Sequence, residues 1–371
     1  MAQNEDAESL NDQLTSVDLP VPPPSVFSKD PRIFLRLKFE LLNLEQSFKL
    51  TYRLGTNSVR GLSMSVDSAA SQTNQKTKGP LVWLDMDQKE LDDAYNQSVY
   101  APNQEQVAKR RRLASEAAIK RLAPALRLSY GPSEIEKLDI YRTSRPNAPI
   151  MVFTHGGAWR NGSAKDFAFP AEVFINAGAH YVVLDFAAVH EVGGNLMVMA
   201  DQVRRAVAWV YKNAETFGGD RNRLYVAGHS SGAHLTGVIL VTDWRRDFDL
   251  PADIIKGGLC VSGMYDLKPV RLSARSKYVK FDDLTEEALS SQRHLEYLNC
   301  PITVGYGSQE TPEFQRQGRE FAAAVKAAGK PVQLIVGEGF NHFEMQETFG
   351  NPYGLAGRAA LELMNLQTRS S

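Results

Sequence analysis

The sequence predicts an α/β protein in which a mostly parallel sheet is covered by helices on both faces. Three observations predict it. From Leu126 onward, short apolar runs alternate with longer amphipathic runs, the pattern of strands buried on both faces. One strand-to-helix junction reads Gly228-His229-Ser230-Ser231-Gly232. An earlier junction reads His155-Gly156-Gly157-Ala158-Trp159, directly after another apolar strand.

Composition sets the bounds. The chain has 371 residues, 43% hydrophobic and 23% charged, enough to bury a large core. A formal net charge of −1 gives no global attraction to nucleic acid or to an anionic membrane. No apolar run reaches the roughly 18 residues of a membrane span. The first residues are acidic and precede no apolar core, so a cytoplasmic protein is expected. Cys260 and Cys300, without metal-ligand spacing, are expected to be buried free thiols. A homodimer is compatible with the sequence.

In chain order, residues 1–85 are expected to be an N-terminal extension, partly disordered and dispensable. Pro20, Pro22, Pro23 and Pro24 break regular structure. The stretch 33–54 is apolar but interleaved with charge, and 63–79 is polar and of low hydrophobicity. The catalytic domain is expected over 86–371. Residues 87–122 read as helices joined by a turn at Ala101-Pro102-Asn103. The basic run Lys109-Arg110-Arg111-Arg112 alternates with apolar residues at helical spacing and reads as a solvated helix face. Strands follow at 138–142, 149–154, 181–185, 223–227, 257–263, 302–306 and 332–336. Helices are expected at 167–177, 197–217, 233–240, 314–328 and 353–364. Residues 267–298, charged and irregular, are expected to form a small cap.

The junction at Ser230 has the spacing of a nucleophile elbow. A tight strand-to-helix turn strains the central residue and pushes its hydroxyl outward, so the flanking positions, Gly228 and Gly232, must be small. The first free amides of the helix, that of Ser231 above all, then point where an oxyanion would form. Gly156 and Gly157 let further backbone amides approach the same oxygen. Of seven histidines, His342 follows the last strand and the nucleophile, as the order Ser, acid, His requires. Glu310, in the loop after the preceding strand, is the favoured acid, with Glu313 and Asp266 as alternatives. Trp159, Phe186 and Phe340 are expected to line an aromatic-friendly pocket.

From residue 86 onward the chain resembles the α/β-hydrolases of the kynurenine formamidase (arylformamidase) and hormone-sensitive-lipase-like esterase group. The resemblance rests on His155-Gly156-Gly157-Ala158-Trp159, Gly228 to Leu235, Ser262-Gly263-Met264-Tyr265-Asp266-Leu267, Thr311-Pro312-Glu313-Phe314 and His342-Phe343. It implies an α/β-hydrolase fold with Ser230, His342 and Glu310 as catalytic residues. It also implies oxyanion donors at Gly156, Gly157 and Ser231. Glu310 departs from the aspartate usual there, and Asp185 to His190 departs from the Tyr-Arg-Leu-x-Pro-like segment of relatives. The implied activity is a serine hydrolase cleaving a small acyl ester or N-formyl arylamide, without metal or organic cofactor. The alternatives are a carboxylesterase for short-chain, aryl or xenobiotic esters, and a hydrolase fold serving as a binding module.

Overall fold

The computed structural model describes residues 78–367. The expectations placed on residues 1–77 lie outside the described residues. The described chain opens with a hairpin of β1 (Leu81–Trp83) and β2 (Met86–Asp87). Asp87 accepts the Gly79 amide at 2.9 Å and caps α1 (Gln88–Ala94), with Glu90 closing a capping box. The boundary expected between residues 85 and 86 therefore falls inside a hairpin. Strands this short carry no hydrophobic period, so the pattern could not announce them.

A 3₁₀ turn (Gln97–Val99) leads to α2 (Gln104–Arg121). Then come β3 (Leu126–Ser129), β4 (Lys137–Tyr141), β5 (Ala148–Thr154), α3 (Ala171–Ala177) and β6 (His180–Leu184). Next are α4 (Leu196–Asn213), β7 (Gly219–His229), α5 (Ser231–Leu240), α6 (Trp244–Phe248) and β8 (Ile255–Val261). The chain continues through α7 (Lys268–Leu272), α8 (Asp283–Leu289), β9 (Ile302–Gly307) and α9 (Pro312–Ala327). It ends with β10 (Val332–Gly337), α10 (His342–Glu347) and α11 (Leu355–Leu363). The single helix expected over 167–177 is two pieces, a 3₁₀ turn (Ala164–Phe167) and α3. Pro170 separates them, and Gly178 at φ 86° ends the second.

The main sheet has eight strands in the order β10-β9-β8-β7-β5-β6-β4-β3. From β10 to β6 all neighbours are parallel; β4 runs antiparallel to β6 and to β3. Strand alternation divides the core into two layers. Ile150, Val152, Leu224 and Val226 face one layer with Val203, Ala206, Val207 and Val210 of α4, all fully buried. Met151, Phe153, Tyr225 and Ala227 face the other with Phe174 and Ala360. Cys260 and Cys300 are buried free thiols. Parallel order brings the C-terminal ends of β5, β7, β8, β9 and β10 to one edge, where ligands bind in open α/β sheets.

A chain beginning at Met86 loses β1, the packing of Trp83 on the core and the stacking of Arg316 on that ring at 5.4 Å. Relative to a chain beginning at Lys76, it should be less stable by about 1–2 kcal/mol. Urea unfolding of the two chains checks this; equal midpoints would make the hairpin ornamental.

Candidate active site

Ser230 sits at the tip between β7 and α5 with φ 59° and ψ −127°, a conformation a non-glycine residue holds only under constraint. Crowding explains its glycine neighbours. A Cβ on Gly232 would lie 2.1 Å from the Thr154 carbonyl oxygen, and one on Gly228 would lie 2.4 Å from Thr236 Oγ1. The helix start and the end of β5 therefore approach as closely as backbones can. That approach places His155 to Trp159 beside the serine. A Cβ on Gly156 would meet the His229 carbonyl at 2.7 Å and Ser230 Cβ at 3.1 Å. Gly157, Ala158 and Trp159 have φ of 131°, 54° and 62°, so the loop turns sharply against left-handed strain. Among the described residues, the amides of Gly156, Gly157 and Ser231 donate to no protein acceptor. Three amides without a protein acceptor thus lie in the loop beside Ser230 and at the residue that follows it.

His342 and Glu310 follow adjacent strands. His342 opens α10 after β10, and its Nε2 lies 2.9 Å from Ser230 Oγ. Its Nδ1 lies 2.8 Å from Glu310 Oε2, in the loop after β9. With Nδ1–H donating to the carboxylate, Nε2 is left to accept the serine proton. The three residues Ser230, His342 and Glu310 are 8%, 4% and 1% exposed, so water competes little for these bonds. Of the candidate acids, Glu310 alone contacts the ring. Glu313 pairs with Arg316 at 2.6 and 2.8 Å and accepts from Tyr95 Oη. Asp266 pairs with Arg293 at 2.8 Å.

Several braces were missed by the sequence reading. The second oxygen of Glu310 accepts from Ser262 Oγ at 2.6 Å and from the Gly307 amide at 2.7 Å. His229 donates from Nε2 to the His342 carbonyl at 2.8 Å, with the two rings 4.6 Å apart. Burial, and after it the His342 ring, hold the His229 pKa well below the histidine range. Asn341 caps α10 and donates to Asn103 at the start of α2 at 2.7 Å. Arg110 pairs bidentately with Glu347, and Arg111 donates to Gln346. Arg110 and Arg111 thus clamp α2 onto the histidine helix, while Lys109, Arg110 and Arg112 remain exposed, the solvated face expected from the periodicity. Only tertiary docking reveals this, although two arginines set among apolar residues were a usable signal.

The expected pocket aromatics do not line the cavity at Ser230. Trp159 is buried behind the glycine loop. Its amide donates to Ser231 Oγ at 3.2 Å and its indole N–H to His234 Nδ1 at 3.3 Å. Left-handed φ at three successive residues turns its side chain away from the cavity. Phe186 stacks on His155 at 4.3 Å. Phe340 belongs to a separate surface cavity with Arg110 and Tyr353. The cavity at Ser230, 1290 Å³ in volume, is instead walled by Tyr95, Phe167, Tyr278 and Phe343, with many charged residues of α2 and its approach. The expected cap at 267–298 contributes only residues from Ala274 to Tyr278 to that wall.

Comparison with known proteins adds to this geometry. The BD-FAE family model matches residues 138–256. The kynurenine formamidase of Danio rerio is 31% identical over 287 residues, covering 71% of this chain and 92% of that protein. That of Salmo salar is 32% identical over 291 residues, again covering 71% and 92%. An esterase structure from Pyrobaculum calidifontis aligns with a TM-score of 0.57 at 18% identity, covering 74% of this chain and 97% of that one, a likeness of fold.

Burial holds His155, His180, His229 and His234 below the ordinary histidine pKa, His234 at about 4. In the unfolded chain they take up protons near about 6.5. Between those values the unfolded state binds more protons, so their stabilising contribution is complete above about pH 6.5 and is lost as pH falls toward 4. His234 alone should account for on the order of 3 kcal/mol of that loss. Urea midpoints should be level from pH 8 to 7 and fall below 6.5, less steeply in His234→Gln; an unchanged slope in that variant would refute the assignment.

Proposed function

This chain belongs to the kynurenine formamidase family of α/β-hydrolases, and on that premise we propose that it hydrolyses N-formyl arylamines, N-formylkynurenine first among them, through a formyl-enzyme on Ser230. The observation that carries this reading is the continuous hydrogen-bonded chain Ser230, His342, Glu310, at 2.9 and 2.8 Å, beside three undonated backbone amides.

In the proposed mechanism Ser230 Oγ attacks the formyl carbon while His342 Nε2 takes its proton. Glu310 fixes the imidazole tautomer and stabilises the imidazolium that forms. Negative charge moves to the carbonyl oxygen, which accepts from the amides of Gly157 and Ser231, with Gly156 completing the set. When the tetrahedral intermediate collapses, the C–N bond breaks and the aryl nitrogen takes the proton from His342. Water then attacks the formyl ester, giving its proton to His342, and Ser230 leaves with that proton while formate departs. All steps are closed by groups of this chain and water.

A second reading is a carboxylesterase for short-chain or aryl esters. Cavity size favours it: 1290 Å³ exceeds the roughly 300–1,000 Å³ of ordinary small-ligand clefts and leaves room for acyl groups larger than formyl. Esters also need less help at the leaving group.

Steady-state hydrolysis of N-formyl-L-kynurenine beside p-nitrophenyl acetate separates the readings. The formamide should turn over with kcat/KM of about 10⁴ M⁻¹s⁻¹ or more. Ser230→Ala should lose at least about 10⁴-fold in kcat. Good ester turnover with negligible formamide turnover would move the protein to the esterases. Absence of fluorophosphonate labelling of the folded protein would return it to a binding role. Gly157→Ala, which forces a Cβ to 2.0 Å from the Asn161 carbonyl oxygen at φ 131°, should lose about 10²–10³ in kcat through the oxyanion donors.

A further inference from the structure

The loop that carries the Gly156 and Gly157 amides is strained and has to be held. Ala158 and Trp159 both sit at left-handed φ, 54° and 62°. Each such residue costs on the order of 1–3 kcal/mol and persists only where its surroundings over-determine it. The Trp159 carbonyl accepts from the Val189 amide at 2.7 Å, and the Trp159 amide donates to Ser231 Oγ at 3.2 Å. Those bonds hold the main chain. The indole is held by His234.

His234 lies on α5 and is 0% exposed. An apolar side chain would fill this space without the cost of burying an imidazole, so the bonds of the ring must offset that cost. The His234 amide donates to the Ser230 carbonyl at 3.1 Å, one helical turn back. Its Nδ1 accepts from the Trp159 indole N–H at 3.3 Å, with the two ring planes at 86°. Its Nε2 donates to the Leu289 carbonyl at 3.0 Å, at the end of α8. An indole N–H only donates and a carbonyl only accepts, so a single neutral tautomer satisfies both. The far anchor is itself fixed to the stretch after β8. Ser290 Oγ accepts from the Leu267 amide at 2.9 Å, and the Gln292 amide donates to the Tyr265 carbonyl at 3.1 Å. One buried ring thus joins the helix of the nucleophile, the glycine loop and the segment after α8.

The acyl-transfer steps do not use this ring. We propose that His234 is a positioning residue for the oxyanion donors: through the Trp159 indole it holds the loop 155–159 in register with Ser230 and Ser231. It touches no substrate. The inference rests on the hydrolase reading above and assigns a further residue to that reaction. The amides meet full negative charge only near the transition state, so loosening them lowers kcat and leaves KM nearly unchanged.

The test separates the two ring bonds. Asparagine can place an acceptor near the position of Nδ1, and glutamine a donor near that of Nε2. Trp159→Phe removes the indole N–H and keeps an aromatic ring. His234→Gln and Trp159→Phe should each lose about 10-fold in kcat on whichever of N-formyl-L-kynurenine and p-nitrophenyl acetate the wild type hydrolyses, with KM within about 2-fold. His234→Asn should stay within about 3-fold of wild type in kcat. Hydrogen exchange of residues 155–161 in the free protein should quicken in the first two variants and not in His234→Asn. Equal losses in the asparagine and glutamine variants would overturn the assignment, and so would full kcat in Trp159→Phe, which leaves His234 in place and decides the matter should a His234 variant fail to fold. If the wild type hydrolyses neither substrate, the hydrolase reading fails, and hydrogen exchange alone decides by the same order of variants whether His234 tethers the loop.

Discussion

A serine held at φ 59° at the edge of a parallel sheet is the constraint from which the rest of the site follows. Such a conformation costs on the order of 1–3 kcal/mol and persists only where packing over-determines it. Here the packing is largely backbone against backbone: Gly232 leaves no room for a Cβ before the Thr154 carbonyl, and Gly228 none before the Gly232 carbonyl. The same close approach that strains the serine delivers the Gly156-Gly157 loop beside it. Nucleophile and amide donors are thus products of one crowded junction between β5, β7 and α5. The strain is offset by two fully buried side-chain layers on either side of the sheet.

The base is positioned by a second, separate set of contacts. His342 follows an exposed edge strand, β10, which would be a mobile place for a catalytic ring. Four contacts counter this. Glu310 binds Nδ1, His229 holds the main-chain carbonyl, Phe314 packs edge-on at 5.0 Å, and Asn103 ties the helix cap to α2. Glu310 is one methylene longer than an aspartate, and a longer carboxylate side chain has more rotamers to lose. Ser262 and the Gly307 amide occupy its other oxygen, leaving one oxygen for the histidine. The extra methylene is accommodated by fixing both ends of the carboxylate.

The contrast between what the sequence disclosed and what it hid follows from these contacts. Ser230, Gly156, Gly157 and His342 lie in motifs whose chemistry is local: a tight turn needs glycine, and chain order selects the histidine. Alternation of apolar runs sufficed for the parallel sheet because buried strands carry their own signature. Trp159 was misassigned because side-chain direction in a loop with left-handed backbone cannot be read from residue type, and Phe186 because its stacking partner, His155, lies at the end of another strand. Phe340 was misassigned because only one residue separates it from His342, yet the two line different cavities. The role of α2 was invisible because its partners, Asn341, Gln346 and Glu347, lie more than two hundred residues away. A basic helix with a solvated face and one clamped over a cavity have the same period.

This division also explains why chemistry is legible here and substrate is not. The proposed attacking group and oxyanion donors belong to the sheet edge and are mostly main chain, so their requirements are steric and leave glycines behind. The opposite wall is built from α1, α2 and the segment around Arg275, and it is rich in charged side chains. Charge at one position can be moved or reversed without disturbing the strained junction, since no backbone conformation depends on it. The recognition wall is therefore free to diverge on a fixed catalytic edge.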